Sequence, residues 1–408
     1  MKVAVIGAGF SGMLAAYLLE KEGIEVSVYE KQEFTGGHCR TLSSNGEITE
    51  LGNVFSFTKH IKELLIELKV DYTERFSYKN FVDDQYKSVE HIARDSVPLL
   101  MDELTRLDGI LKQYKDSLEG INYGYIHPDL MVPLSHFLAT HEFKVISDLI
   151  EPQLSSFGFG RIDEVQAYYV FRVFNVDVLY GFIRGDKLLF IDKGSSELIK
   201  QLSQNISDIR YSLEVQKVQV VGSKILVETP YATDYYDKVL ITTKLPTDVI
   251  KDELYNQLMQ KVDTTPYVTC AYEVSEKNLV TTYFKSALGI QSRLQFFYTS
   301  RQNSKTKLVA YAYGKVGKDL VNGITHDIEQ LGIRITKLIT VKQWFIFPHI
   351  KAKNLSPMFY KDINDRQKNS NIYLIGSLVS QPTLDNLYIS VKRTANEIID
   401  YYKNTFHE

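Results

Sequence analysis

Gly7, Gly9 and Gly12 stand at GxGxxG spacing near the start of the chain, and an acid, Glu30, follows just under twenty residues after the last of them. Those residue types in that order suit the binding of a pyrophosphate and its ribose. Gly7 permits a tight turn, Gly9 lets the main chain approach a phosphate, and Gly12 lets a helix pack closely on a strand. The free N–H groups at the start of that helix, with their partial positive charge, favour the anion. A carboxylate at the position of Glu30 accepts hydrogen bonds from both ribose hydroxyls. Phe10 and Ser11 inside the motif, and Lys31 after the acid, join the same candidate site. A second flexible turn, Gly36-Gly37, precedes His38 and Arg40, the latter a candidate phosphate partner. Glu50-Leu51-Gly52-Asn53 then brings another close backbone passage.

The elements that must hold these residues are legible around them. Val3 to Ile6 is an apolar run of strand length, an alanine- and leucine-rich segment of helical character runs on to Gly23, and Val26 to Tyr29 reads as a second parallel strand. No second dinucleotide fingerprint follows: "SSFGFGRI" offers a GxG without a preceding strand and reads as a turn. A flavoenzyme reduced by a nicotinamide co-substrate usually carries that second fingerprint. The Gly36-Gly37 turn, together with a C-terminal "NIYLIGS" strand feeding a helix over about 387–403, is what an FAD site requires, because that cofactor is long and its ring lies far from its adenine. Between these parts, 59–190 reads as mostly helical, with Leu104, Leu107, Leu111, Tyr114 and Leu118 on one core-facing stripe. Residues 209–245 return to β signals, with a hairpin at Gly222-Ser223 and a buried strand in "DKVLITT", and 265–350 alternate strands with a helix. The expected division is a cofactor domain in three pieces (1–75, 191–250 and 359–408), a helical substrate or lid region (76–190) and a substrate-domain sheet (251–358).

Composition removes several function classes. The 408 residues include 44% hydrophobic residues, enough for a sizeable core, and a formal charge of −3 leaves no basic field for nucleic acid. Cys39 and Cys270 are the two cysteines, too few for a disulfide framework, and no signal sequence precedes the first strand, so a reducing cytoplasm is the expected setting. No apolar run approaches the ~20 residues of a membrane helix, although contact with a membrane surface stays open. His136 and His141 do not share a helix face and the cysteines are far apart, so no metal site is expected. No nucleophile motif of the GxSxG type occurs. The 27 tyrosines and 21 phenylalanines suggest aromatic-lined cavities as well as core.

Taken together, "VIGAGFSG", "VYEK", "GGHCRT", "ELG", "DKVLITTKLP" and the terminal "YLIGS" with its helix resemble the flavin-containing amine oxidase and phytoene desaturase superfamily. A narrower resemblance, to the FAD-dependent polyunsaturated fatty acid isomerases of the bacterial linoleate type, lies in "HPDLMVPLSHFLA", "FGFGRIDEVQAYYV", "GSSELIKQL" and "WFIFPHI" in that order. The implied fold is α/β: a Rossmann-like FAD-binding domain of the glutathione-reductase-like, amine oxidase type, with an interleaved substrate domain of mixed sheet and a helical lid. The implied activity is hydride transfer between flavin and an apolar organic substrate, foremost double-bond isomerisation of an unsaturated fatty acid. The resemblance assigns Gly7, Gly9, Gly12, Glu30, Gly37 and Arg40 to the diphosphate and adenosine of FAD, the Val215 backbone to the adenine, and the surroundings of Gly376 and Asp385 to the ribityl chain and flavin. One position departs from the superfamily pattern: Ser377 stands where Asp or Glu commonly accepts a ribityl hydroxyl.

The same resemblance turns Trp344, Phe345, Phe347 and His349 towards the flavin; an ordinary aromatic strand packing the core explains Trp344, Phe345 and Phe347 equally well, and His349 is either a proton donor or a strand-end residue. Phe157 is a further candidate for the substrate pocket. Tyr168, Phe171 and Phe174 share a helical face, which suits either a fatty-chain tunnel or plain core. Arg75 and Arg172 either receive a carboxylate near a pocket mouth or stand as solvated surface charges. Two other functions stay open: a flavin amine oxidase or desaturase, and a non-catalytic binding protein on the same scaffold. An amine oxidase gains from the affinity of aromatic cages for cations.

Overall fold

The computed structural model describes residues 1–406 apart from 45, 54–55, 57–59, 286–292 and 303–304. The first apolar run forms strand β1 (Lys2–Ile6), Gly7 turns at φ +102°, and helix α1 (Phe10–Lys21) follows. Nine of its twelve positions are buried, among them the small residues Ser11, Gly12, Ala15 and Ala16, and Gly23, at φ +79°, ends the turn beyond it. Strand β2 (Glu25–Tyr29) then returns parallel to β1, with Val3 opposite Val26 and Val5 opposite Val28. Both strands are buried beyond their first residue, as expected where helices cover both faces of a parallel sheet.

The five-stranded sheet built on this unit is wholly parallel. Its order is Ile372–Leu374, Lys238–Ile241, β1, β2, Ile209–Arg210, so strands from three separate stretches of chain meet in one layer. The closing helix Leu384–Phe406 packs against α1. The hairpin at Gly222-Ser223 is present, joining Lys217–Val221 to Lys224–Glu228 in a three-stranded sheet. A seven-stranded sheet runs Ile335–Ile350, Val262–Val274, Lys305–Tyr313, Leu294–Gln302, Thr281–Phe284, Lys79–Val82, Ser88–Val89. This is the α/β architecture expected from the sequence, a parallel sheet carrying the glycine turn beside a separate mixed sheet. Among the described residues no helix is long and apolar enough to cross a membrane.

The helical stretch contains more strand than the periodicity suggests. Tyr72–Arg75 pairs with Leu188–Ile191, and Lys79–Val82 joins the large sheet parallel to Thr281–Phe284. These strands are four residues long, too short to display an alternation, and take their pairing from distant partners. The stripe on helix Val97–Leu111 does face the core, through Leu104 and Leu107, and Tyr114 beyond it is buried as well.

Arg172 overturns its expected place. It is neither a surface charge nor at a pocket mouth but buried, with its terminal nitrogens donating to the carbonyls of Ser117, Leu118, Glu119, Gly120, Ile121 and Asn122 at 2.9–3.4 Å. The planar guanidinium thus ties the segment 117–122, the end of the short helix Lys115–Leu118 and the turn after it, to helix Ala167–Val173. Replacing Arg172 by Met is expected to cost about 3 kcal/mol or more, because several carbonyls lose their donor at once. Lys at this position is expected to recover only part of that loss, since a point charge cannot span the fork. Thermal unfolding of the two variants checks both statements.

Candidate cofactor groove and aromatic chamber

A cavity of about 730 Å³ starts at the glycine turn and ends on the large sheet. Its first part is built of main chain. The Met13 N–H bonds to the Gly9 carbonyl (3.0 Å), so the N–H groups of Phe10, Ser11 and Gly12 precede the first satisfied turn of α1. Gly9 and Gly37 approach so closely that a Cβ on Gly37 would lie 3.2 Å from the Gly9 Cα. Gly12 does not line the cavity: a Cβ there would stand 1.9 Å from the Gly7 carbonyl oxygen, so its role is to let α1 sit on the turn. Glu30, at the end of β2, lines the groove, accepting from the Ala8 N–H through one oxygen and from the Gln32 N–H through the other, both at 2.8 Å. These bonds aim the carboxylate and leave it further acceptor capacity. Val215 lines the groove beyond Glu30.

The last part of the cavity is walled by rings. Tyr267, Phe296 and Tyr311 lie side by side on neighbouring strands, with centroids 4.6 Å (Phe296–Tyr311) and 5.9 Å (Tyr267–Tyr311) apart. The Tyr267 hydroxyl donates to the Ser155 carbonyl at 2.9 Å, the Tyr311 hydroxyl lies 3.5 Å from the Leu51 and Gly52 carbonyls, and burial drives both tyrosines far above their ordinary pKa. Trp344 is fixed by its indole N–H, which donates to Thr269 Oγ1 (2.8 Å), while Thr269 donates on to the Leu51 carbonyl. His38, exposed on the cavity wall, meets Trp344 edge to face, and desolvation lowers its pKa. Gly52 is required here because a Cβ would fall 1.8 Å from the His38 carbonyl oxygen.

Phe347 owes its aim to backbone irregularity. Between Asp263 and Thr265 the pairing with Ile335–Ile350 slips by one residue, so that Phe347 and Pro348 face Thr264. Phe347 adopts φ +51°, a left-handed conformation rare for a bulky side chain. Its ring is clamped between Phe159 (4.4 Å) and His349 (4.6 Å), each close to parallel.

A second cavity, of about 420 Å³, shares Asn53 and Leu384 with the lining of the first. Arg75 lines it with its guanidinium carbon 4.1 Å from the centre of the Phe190 ring. Glu50 lines it too. Ser195 donates to Glu50 through its N–H (2.7 Å) and hydroxyl (2.8 Å), and Thr41 through its hydroxyl (2.8 Å), yet burial outweighs these bonds and pushes the carboxyl from 4.5 to about 7. The fold therefore keeps the Glu50 proton in a pH range where the unfolded chain has lost it. The resulting stability is complete below the unfolded pKa and falls as pH rises towards 7, by roughly 3 kcal/mol. Glu50→Gln is expected to flatten the decline of the thermal midpoint between pH 5 and pH 8; an identical decline in the variant would refute this.

Most of the expected residues converge on the first cavity: Gly7, Gly9, Phe10, Ser11, Glu30, Lys31, Gly37, His38, Gly52, Asn53, Phe157, Val215, Trp344, Phe345, Phe347 and Ser377 all line it. Others do not. The Asp385 carboxylate turns away to accept the N–H groups of His60 and Ile61 (2.9 Å each), capping helix Ile61–Glu67, and Leu384 and Leu387 face the cavity in its place. Gly376 packs on Ser11, whose Oγ would be 2.6 Å from an added Cβ. Arg40 lies with its guanidinium carbon 3.9 Å from the centre of the Phe34 ring, off the lining. Tyr168 and Phe171 are core: one packs on Tyr123, the other on Phe137. His349 sits behind Phe347 and off the cavity lining, bonded through Nδ1 to the Phe347 carbonyl, and burial lowers its pKa. Tyr267, Phe296, Tyr311 and Phe159 escaped the sequence reading. The one available signal was aromatic residues recurring among strands, which is equally the mark of a core. No group of three or more potential metal ligands occurs among the described residues.

Comparison with known proteins agrees with this architecture. The family model for flavin-containing amine oxidoreductases matches residues 10–399. An L-amino-acid oxidase of Protobothrops flavoviridis is 25% identical over 264 residues, which are 59% of this chain and 50% of that protein, so the chain spans about half of this relative's length. Among solved structures, a CLA-producing fatty acid isomerase from P. acnes superposes with a TM-score of 0.85 at 20% identity, over 99% of this chain and 98% of the other. Cyclohexylamine oxidase from Brevibacterium oxydans gives 0.75 at 14% identity, over 98% and 99%. At such identities the likeness of the structures is one of fold, while the family match over nearly the whole length places this chain among the flavin-containing amine oxidoreductases.

Proposed function

We propose that the protein is an FAD-dependent isomerase that moves a double bond in a polyunsaturated fatty acid. One observation carries this reading. A ring-walled chamber shares Asn53 and Leu384 with the lining of a second cavity that has an arginine on its wall, and burial raises the pKa of the chamber's tyrosines Tyr267 and Tyr311. The residues present suit FAD: unspent N–H groups at the start of α1 for the diphosphate, Glu30 for a ribose, the Val215 main chain for the adenine, and Gly37, His38, Asn53 and Ser377 along the rest. Ser377 replaces a charged hydrogen bond by a neutral one, a loss of about 1–2 kcal/mol for a ligand with many contacts. When bound, the flavin supplies a centre that takes a hydride from carbon and returns it.

The chain's own work is then orientation and exclusion of water. Trp344, Tyr267 and Tyr311, together with the edge of the clamped Phe347 ring, wall the space that holds an alkene chain in place. Thr269 fixes the indole, and the stack on Phe159 and His349 fixes Phe347. Arg75, over Phe190, receives the carboxylate, which sets how far the chain extends into the chamber. The P. acnes structure, whose title names a fatty acid isomerase, supports this choice of substrate. Cys39 and Cys270, both buried free thiols, fit a reducing cytoplasm.

Arg75→Gln is expected to raise KM for a fatty acid about tenfold with little change in kcat, and to leave a methyl ester unaffected. An equal loss on acid and ester would remove Arg75 from carboxylate binding. The reading itself is tested by mixing the purified yellow protein with linoleate. A conjugated-diene band in the near ultraviolet without net oxygen uptake is the expected result. Ring faces also attract ammonium groups, which favours amine oxidation as the second reading; hydrogen peroxide formed from amines, with no diene from linoleate, would establish it in place of the first.

A further inference from the structure

The rim of the second cavity combines exposed apolar rings with cations. Phe76, Tyr78 and Val280 line it at 59%, 79% and 44% exposure. Arg75 and Arg301, both exposed, line the same cavity, and the exposed Lys187 holds its Nζ 5.2 Å from the centre of the Phe76 ring. Of the neighbouring acids, Glu74 pairs with Lys62 and Glu50 is buried under Ser195 and Thr41, while Asp192 accepts from the neutral Thr73 hydroxyl (2.7 Å), so one cavity-lining carboxylate stands against these three cations. A locally positive rim therefore stands on a chain whose formal charge is −3. Aromatic side chains that keep a polar edge, ringed by basic residues, match the boundary between acyl chains and anionic headgroups. We propose that this rim docks on the surface of an anionic lipid bilayer. The cavity mouth then opens onto the phase in which a long acyl chain is dissolved, so the substrate passes inward without crossing water. The purpose of the surface rests on the acyl-entry reading above; its measurement does not.

The experiment is co-sedimentation of the flavin-loaded full chain with vesicles of phosphatidylcholine, alone or mixed with phosphatidylglycerol. Binding is expected to be stronger to the mixed vesicles, by about fivefold for each basic residue engaged, and to weaken sharply as salt is raised to about 0.5 M. The double variant Phe76→Ser/Tyr78→Ser is expected to lose about tenfold in partitioning. Tyr231→Ser, which removes an 84%-exposed ring between two strands of the three-stranded sheet, is expected to change nothing. Binding that ignores phosphatidylglycerol, or a double variant that sediments like the parent, overturns the proposal, as does absence of binding. Turnover of dilute linoleate without vesicles is measured in parallel. A protein that turns over linoleate and ignores vesicles loses this surface alone, and one that binds vesicles but leaves linoleate unchanged keeps the surface and loses the isomerase reading.

Discussion

Alanine at Gly9 is expected to leave the thermal midpoint of the flavin-free protein within about 2 °C of the parent while weakening flavin binding by about ten- to one-hundredfold. Gly9 has φ −75° and ψ −179°, which any residue adopts, and an added Cβ meets only the Gly37 Cα at 3.9 Å. The protein has no reason to resist the change. The methyl group instead enters the groove where main chain must approach a phosphate, so the loss falls on the ligand. Gly12→Ala makes the opposite case. Its Cβ would stand 1.9 Å from the Gly7 carbonyl oxygen, forcing α1 away from β1. Stability and flavin are then expected to fall together. Equilibrium titration of apoprotein with FAD, read beside thermal unfolding, distinguishes the two; a Gly9→Ala protein that binds FAD like the parent would remove the diphosphate from this turn.

Phe347→Ala is expected to retain flavin yet lose about one-hundredfold in kcat/KM, because a side chain that locates the reacting carbon is gone. It is also expected to cost about 3 kcal/mol of stability, since the ring is buried between Phe159 and His349. Alanine keeps the strained left-handed backbone without the ring that rewards it. Phe347→Gly is therefore expected to be more stable than Phe347→Ala by about 1 kcal/mol, while being no more active. This reversal of the usual order of alanine over glycine separates the backbone contribution from that of the ring. A glycine variant less stable than alanine would place the strain elsewhere.

The sequence made the groove readable because its demands are local. Gly7, Gly9, Gly12 and Glu30 follow from the geometry of one βαβ unit, and the strand, helix and strand that carry them lie within thirty residues of one another. The chamber obeys no such local rule. Strand Lys305–Tyr313 is buried at seven consecutive positions, so alternation cannot say which face of the sheet Tyr311 occupies. Tyr267 and Phe296 reach Tyr311 across strand pairs set by long-range register. Asp385 was misread for a related reason: an acid at a helix start suits a ligand as well as a cap, and only packing brings His60 and Ile61 within its reach. Arg172 shows the converse, for a lone charge in an apolar run looks exposed until the six carbonyls that surround it come together in the fold.

The central claim is that substrate lies in a dry chamber where hydrogen leaves one carbon and returns to another of the same molecule. Linoleate deuterated at the methylene between its double bonds addresses this directly, in ordinary water with the flavin-loaded protein. The account requires a conjugated product that keeps the label at a new carbon, formed more slowly than from unlabelled linoleate. A conjugated product whose label has been replaced by solvent hydrogen, at a rate indifferent to the deuterium, would contradict it.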